Sequence, residues 1–212
     1  MLERFRQFWT NVWAPLGDLL LRLGVSPNTV TVVGTLGVCA GALIFFPQGW
    51  LLAGVVVITA FVFSDMIDGY MARTSGQISP FGAFLDSTLD RIGDAAIFGG
   101  LAMYYVGPGD SEWLAALSIY CLTMGSVTSY ARARAESLGM QAKVGIAERA
   151  DRLVAILVVT GAADLVNRLG VGEDALWAIP VTLGVLAVAS TVTVVQRVAV
   201  VRDQARALAQ DS

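Results

Sequence analysis

No histidine occurs anywhere in the 212 residues. That absence removes every nucleophilic triad built on imidazole and argues against a zinc centre, whose usual ligands are imidazole and thiolate. Cysteine is almost as scarce, with only Cys39 and Cys121, each inside an apolar run. Both read as small buried hydrophobes, and no disulfide is expected. Charged residues make up 15% of the chain, against about 25% in a soluble domain. The net charge of −3 is too small to support an argument for nucleic acid, so no such partner is expected. Neither a phosphate-binding Walker loop nor a dinucleotide fingerprint is present. The opening MLERFRQFWTNVW lacks the apolar core and cleavage site of a signal peptide, so no secretion is implied. No internal repeat and no low-complexity tract interrupts the chain.

What is abundant is apolar surface, at 56% of residues. Stretches of roughly 20 apolar residues are what a spanning helix needs. The expected fold is an all-α integral membrane protein with six transmembrane helices and an N-terminal amphipathic interfacial helix. In that helix Leu2, Phe5, Phe8, Trp9, Val12 and Trp13 oppose Glu3, Arg4, Arg6 and Gln7 at helical spacing. The spans are expected at Thr29 to Phe46, Trp50 to Ala72, Phe81 to the Gly107 turn, Trp113 to Ala135, Asp151 to Val166 and Ala175 to Val201. Gly34, Gly37 and Gly41 lie near one stripe of the first span, which suits close helix packing. The third span is the weakest by hydropathy, because it carries Asp86, Asp90, Arg91 and Asp94. The division is residues 1–23 as the juxtamembrane helix, 24–202 as the spanning domain and 203–212 as a cytoplasmic tail. Basic residues such as Arg22, Arg73, Arg132, Lys143, Arg152 and Arg202 fall on one side in this arrangement, and only Arg168 lies in a loop on the other. The positive-inside rule then puts both termini in the cytoplasm.

Within this greasy chain four aspartates, Asp65, Asp68, Asp86 and Asp90, flank a turn-like segment containing Gly76, Pro80 and Gly82. Spacings of three and four residues place each pair on one helix face. A helical hairpin would aim four carboxylates at a shared point. So much negative charge in a membrane protein implies a cation. Oxygen-only ligands favour hard Mg²⁺ or Mn²⁺ over Zn²⁺. The bland alternative is carboxylates that cap helices or stabilise a polar bundle interior.

The run Asp65-x2-Asp68-Gly69-x2-Ala72-Arg73-x8-Gly82-x3-Asp86-x3-Asp90 resembles the signature of the CDP-alcohol phosphotransferases. These membrane enzymes move a phosphate-bearing group from a CDP-linked donor to an alcohol. The resemblance implies that Asp65, Asp68, Asp86 and Asp90 hold metal, with two ions expected. It also implies that Asp90 is the general base and that a homodimer forms; the placing of the basic residues puts the aspartate hairpin on the cytoplasmic side, in the plasma (inner) membrane. Gly69, Ala72 and Gly82 would make room for cytidine and ribose, or serve only close helix packing. Arg73 would meet a phosphate, or simply reach the surface. Asn28 and Thr31, in a Pro-Asn-x2-Thr element at the mouth of the first span, would border the CDP site, or only cap a helix.

A second polar cluster comprises Arg132, Arg134, Arg149, Arg152 and Arg197. Guanidinium groups suit a phosphate dianion, while anchoring to anionic lipid is the plainer reading. The patterns Tyr130-x-Arg132-Ala133-Arg134-Ala135-Glu136, Glu148-Arg149-x2-Arg152 and Gln196-Arg197 resemble the bacterial phosphatidylinositol-phosphate synthases of the same family. By that likeness Arg132, Arg152 and Arg197 hold the acceptor phosphate, although members of the group carry lysine where Arg132 stands. The expected reaction is Mg²⁺-dependent transfer from CDP-diacylglycerol to inositol phosphate, releasing CMP. Phosphatidylglycerophosphate synthesis from glycerol 3-phosphate is the alternative, and a divalent-cation transporter is the non-enzyme one. Against the transporter, the stretch from Gly99 to Val106 offers almost no polar groups to continue an ion path.

Overall fold

The computed structural model describes residues 13–172 and 174–210. Their regular structure is all helical, with no strand among the described residues. Helix α1 covers 13–22. Helix α2, Pro27–Ala40, continues through a π turn at Gly41–Phe45 and a 3-10 turn at Phe46–Gln48. Then come α3 (Leu51–Val62), α4 (Ser64–Thr74), α5 (Pro80–Val106), α6 (Glu112–Ser137), α7 (Arg149–Arg168) and α8 (Ala178–Gln210). Leu2, Phe5, Phe8, Trp9 and Val12 of the expected amphipathic helix lie outside the described residues.

Local chemistry explains most of the helix starts. Ser26 and Ser79 have extended backbones, and each side chain accepts a backbone N–H, from Thr29 at 3.2 Å and from Gly82 at 3.0 Å. A proline follows each of them, at a position where the missing N–H is not needed. The α7 start is closed by Glu148 N–H donating to Asp151 at 3.2 Å. The π turn and 3-10 turn that finish α2 lead into Pro47, which has no N–H to donate, and Gly49 ends the path at φ 75°.

Helix α3 starts differently, because Trp50 at its N-cap provides no side-chain bond. Instead the Leu52 N–H donates to Asp164 Oδ2 of α7 at 2.8 Å, and Arg168 Nε donates to the same oxygen at 2.9 Å. Arg168 Nη2 also reaches the Gly49 carbonyl at 3.5 Å. The Asp164 side chain is buried, so its loss leaves a helix-start N–H with no acceptor. Asp164→Ala is expected to destabilise the protein by about 1–3 kcal/mol, seen as a lower melting temperature in detergent with an unchanged KM.

Two expectations about helix boundaries change. The second span is broken at Phe63 (φ −66°, ψ −13°), so Asp65 and Asp68 ride on the separate helix α4. The break falls where α2 comes closest: a methyl group at Gly34 would overlap Ser64, and one at Gly37 would overlap the Phe61 ring. The glycine stripe does serve tight packing. The other change is that residues 203–210, expected as a tail, continue α8 to Gln210.

Among the described residues, four helical stretches are long and apolar enough to cross a membrane: Pro27–Gln48, Leu51–Thr74, Glu112–Ser137 and Ala175–Gln210. Helices α5 and α7 fall outside that set; α5 carries Asp86, Asp90, Arg91 and Asp94, and α7 carries Asp151, Arg152, Asp164 and Arg168. The core joins α5 to its neighbours α2 and α6, and α6 to α8. Phe46, Ile58, Ile97, Leu101, Ile156 and Leu183 are fully enclosed there. Cys121 is buried as expected, its thiol donating to the Leu183 carbonyl at 3.2 Å. Helix α1 docks on α4: Trp13 stacks on Phe63 at 5.7 Å, and Tyr70 donates to Asp18 at 2.9 Å.

Candidate active site

Helices α4 and α5 meet at a turn in which Gly76 takes φ 69°. Together with the start of α2 they enclose a cavity of about 330 Å³. All four aspartates of the sequence pattern line it, as do Asn28, Thr31, Gly69, Ala72 and Gly82. At Gly82 a methyl group would stand 3.4 Å from Asn28 Oδ1, so the start of α5 lies beside the start of α2. Arg73 is the one member of that expected set outside the lining; its guanidinium lies back over Gly69.

The carboxylates have unequal surroundings. Asp68 is buried and accepts a hydrogen bond from Thr31 Oγ1 at 2.5 Å. Asp90 Oδ1 pairs with Arg149 Nη1 at 2.9 Å, while its Oδ2 has Arg91 Nη2 at 3.6 Å. Among the described residues, the exposed side chains of Asp65 and Asp86 make no hydrogen bond or ion pair. Thr31 holds Asp68 and Arg149 holds Asp90, each on its own part of the wall. No three acidic side chains stand close enough to form a metal-ligand cluster among the described residues. By chemistry the donor set still fits a hard divalent ion. It offers oxygen alone, and three of its four carboxylates form no ion pair among the described residues.

A second cavity of about 360 Å³ opens between α5, α6, α7 and α8. Arg132, Arg152 and Arg197 all line it, with Arg91 and Arg149. Arg152 and Arg197 are 2% and 4% exposed, which removes lipid anchoring as their purpose. Neither forms an ion pair among the described residues. Arg152 donates to the carbonyls of Ala147 at 3.1 Å and Gly125 at 3.4 Å. Arg197 donates to Val144 at 2.9 Å and Thr128 at 2.5 Å. A guanidinium has five donors, so each keeps some for a ligand. Arg132 differs, being partly exposed and paired with Glu136 at 3.1 Å. Buried, carbonyl-bonded cations make this cavity positive, as a phosphate dianion requires.

The model of the CDP-alcohol phosphatidyltransferase family matches residues 24–201 of this chain. The chain belongs to that family. It is 53% identical over 205 residues to the phosphatidylinositol phosphate synthase of Streptomyces avermitilis, covering 95% of this chain and 83% of that one. It is 51% identical to the enzyme of the same description from Cutibacterium acnes, covering 95% and 98%. A crystal structure of Mycobacterium tuberculosis phosphatidylinositol phosphate synthase with CDP-DAG bound superposes with a TM-score of 0.82 at 40% identity, over 90% of this chain and 94% of that one. The same enzyme in complex with manganese and citrate gives a TM-score of 0.79, covering 88% and 87%.

As a CDP-alcohol phosphatidyltransferase, the protein is a membrane-embedded transferase, and the ion-transporter reading falls away. The aspartate signature does not include Arg149, Arg91 or Asp94; the sequence placed Arg149 only in the arginine cluster, and gave Arg91 and Asp94 no part in the site. Arg149 Nε holds Asp94 Oδ1 at 2.9 Å while its Nη1 holds Asp90, so one side chain spans from the aspartate cavity to the arginine cavity. One signal was available: Asp94 follows Asp90 by four residues, as Asp90 follows Asp86, so all three share a face of α5.

Proposed function

We propose that the protein is a phosphatidylinositol phosphate synthase, joining CDP-diacylglycerol to inositol phosphate and releasing CMP. The observation that carries this reading is the adjacency of two cavities of opposite charge, linked through the Asp90–Arg149 pair at 2.9 Å. The acidic cavity takes the CDP end of the donor, with Asn28, Thr31, Gly69, Ala72 and Gly82 around the nucleotide and Arg73 at its rim. Arg132, Arg152 and Arg197 bind the acceptor phosphate in the basic one. The acceptor hydroxyl attacks the lipid-side phosphorus: a new P–O bond forms, the bond to CMP breaks and the hydroxyl proton passes to Asp90. Asp65, Asp68, Asp86 and Asp90 would hold one or two divalent ions, Mg²⁺ or Mn²⁺, which neutralise phosphate charge. Support for that ion comes from the donor set and from the manganese complex of the tuberculosis enzyme.

Six spans follow in this reading, because Asp94 of α5 and Arg152 and Asp164 of α7 are buried inside the bundle. The spanning domain is 24–202, with 1–23 along the membrane surface and 203–212 on the cytoplasmic side. Asymmetry of basic residues supports a cytoplasmic active site in the plasma membrane, and family likeness supports a homodimer.

The test is CMP release by purified protein given CDP-diacylglycerol and one acceptor at a time: inositol phosphate, free inositol or glycerol 3-phosphate. Chelator, followed by Mg²⁺ or Mn²⁺, serves as control. Turnover with inositol phosphate alone is expected. Turnover only with glycerol 3-phosphate would replace the acceptor assignment, and turnover with free inositol would deny the arginines their phosphate.

A further inference from the structure

We propose that Asp94 is a positioning residue that acts through Arg149, holding one oxygen of Asp90 so that the other is left for the acceptor hydroxyl. This rests on the reading of Asp90 as the proton acceptor. Asp94 lies one helical turn beyond Asp90 on the same face of α5, and it lines neither cavity. Its side chain is 8% exposed, against 21% for Asp90. A carboxylate that deep is costly unless paired, and its close partner is Arg149 Nε at 2.9 Å, with Arg91 Nε farther off at 3.8 Å.

The guanidinium is a rigid planar fork, so fixing Nε on Asp94 also fixes the direction of Nη1 and Nη2. Nη1 then meets Asp90 Oδ1 at 2.9 Å, and Nη2 lies 3.4 Å from the Asp90 carbonyl. Asp90 Oδ2 receives no hydrogen bond from this fork and stands 3.6 Å from Arg91 Nη2. Arg149 is the first residue of α7, straight after a loop, where a long side chain has no helical neighbours on its N-terminal side. The backbones of α5 and α7 are not among the closely packed helix pairs. The Asp94 anchor therefore sets where this bridge stands. The same guanidinium lines the arginine cavity, so the bridge also ties the position of Asp90 to the acceptor's side of the site.

The test is a double-mutant cycle on purified full-length protein, with Asp94→Asn, Arg149→Gln and the pair, read in kcat, in both KM values and in melting temperature. Asp94→Asn is expected to lower kcat about 10- to 100-fold, the scale of a misplaced reacting group, with the KM for CDP-diacylglycerol unchanged. The double variant is expected to be no slower than Arg149→Gln alone, because Asp94 acts only through that residue. Arg149→Lys, which keeps the charge without the fork, should not restore the rate. Wild-type kcat in Asp94→Asn overturns the proposal, as do losses that multiply in the double variant or a melting temperature that couples while kcat does not. Should Asp94→Asn fail to fold, Asp94→Glu keeps the charge on a longer arm and is expected to lower kcat at an unchanged melting temperature; full activity in it overturns the proposal equally. Rates are taken with whichever acceptor the wild type uses best. Failure of inositol phosphate then counts against the proposed function, while the ratios still decide the role of Asp94.

Discussion

Replacing Asp90 by asparagine is expected to lower CMP release by about 10²- to 10⁴-fold, the usual contribution of a positioned base. The carboxamide has nearly the same shape, and its oxygen can still face Arg149 Nη1, which stands 2.9 Å from Asp90 Oδ1. What it cannot do is take the proton of the attacking hydroxyl. Arg149 is not left stranded, because Asp94 holds its Nε at 2.9 Å. The variant should therefore melt near the wild-type temperature. Single-turnover CMP release beside a melting curve separates chemistry from folding, and near-normal turnover would remove Asp90 from the role of base.

Asp86→Asn is expected to lose at least about 100-fold in turnover, the order set by removing a charge that helps hold a catalytic metal ion. This substitution is the cleanest of the four aspartates. The side chain is exposed and has no hydrogen bond or ion pair among the described residues, so stability should not change. Asp68 offers no such clarity, since its loss also frees Thr31. A titration of activity against Mg²⁺ is the measurement, and the variant should need far more metal to reach half its maximum. An unshifted midpoint with full activity would remove Asp86 from the ligand set.

Much of this site was legible because its chemistry is local. Asp65 with Asp68, and Asp86 with Asp90, sit at spacings that force each pair onto one helix face, and both pairs do line one cavity. The caps at Ser26 and Ser79 are local in the same way, each within three residues of its partner, although the third span was expected from Phe81. Contacts between distant residues were not legible. The break at Phe63 depends on how closely Gly34 and Gly37 let α2 approach, and no propensity along TAFVFSDM announces it. The Arg149–Asp94 bond joins residues 55 apart, and only the fold shows that α7 begins beside the middle of α5. Arginines at 132, 152 and 197 look alike in sequence, yet two are enclosed and one is partly exposed and paired to Glu136. Among the described residues hydropathy alone identifies four spans, because an inward-facing charge and an outward-facing charge weigh the same in an average.

The start of α3 has a consequence for the order in which the chain is made. Its acceptor, Asp164, is translated 112 residues after Leu52. At ~5–20 residues per second, that interval is roughly 6–20 s on the ribosome. Throughout it the nascent second span sits in the translocon or the bilayer with a helix-start amide that only water or lipid headgroups can satisfy. The insertion of α7 is then what ends this immature stage. A nascent chain arrested before Asp164 emerges should hold α3 loosely at that end, and one arrested well past Arg168 should hold it firmly.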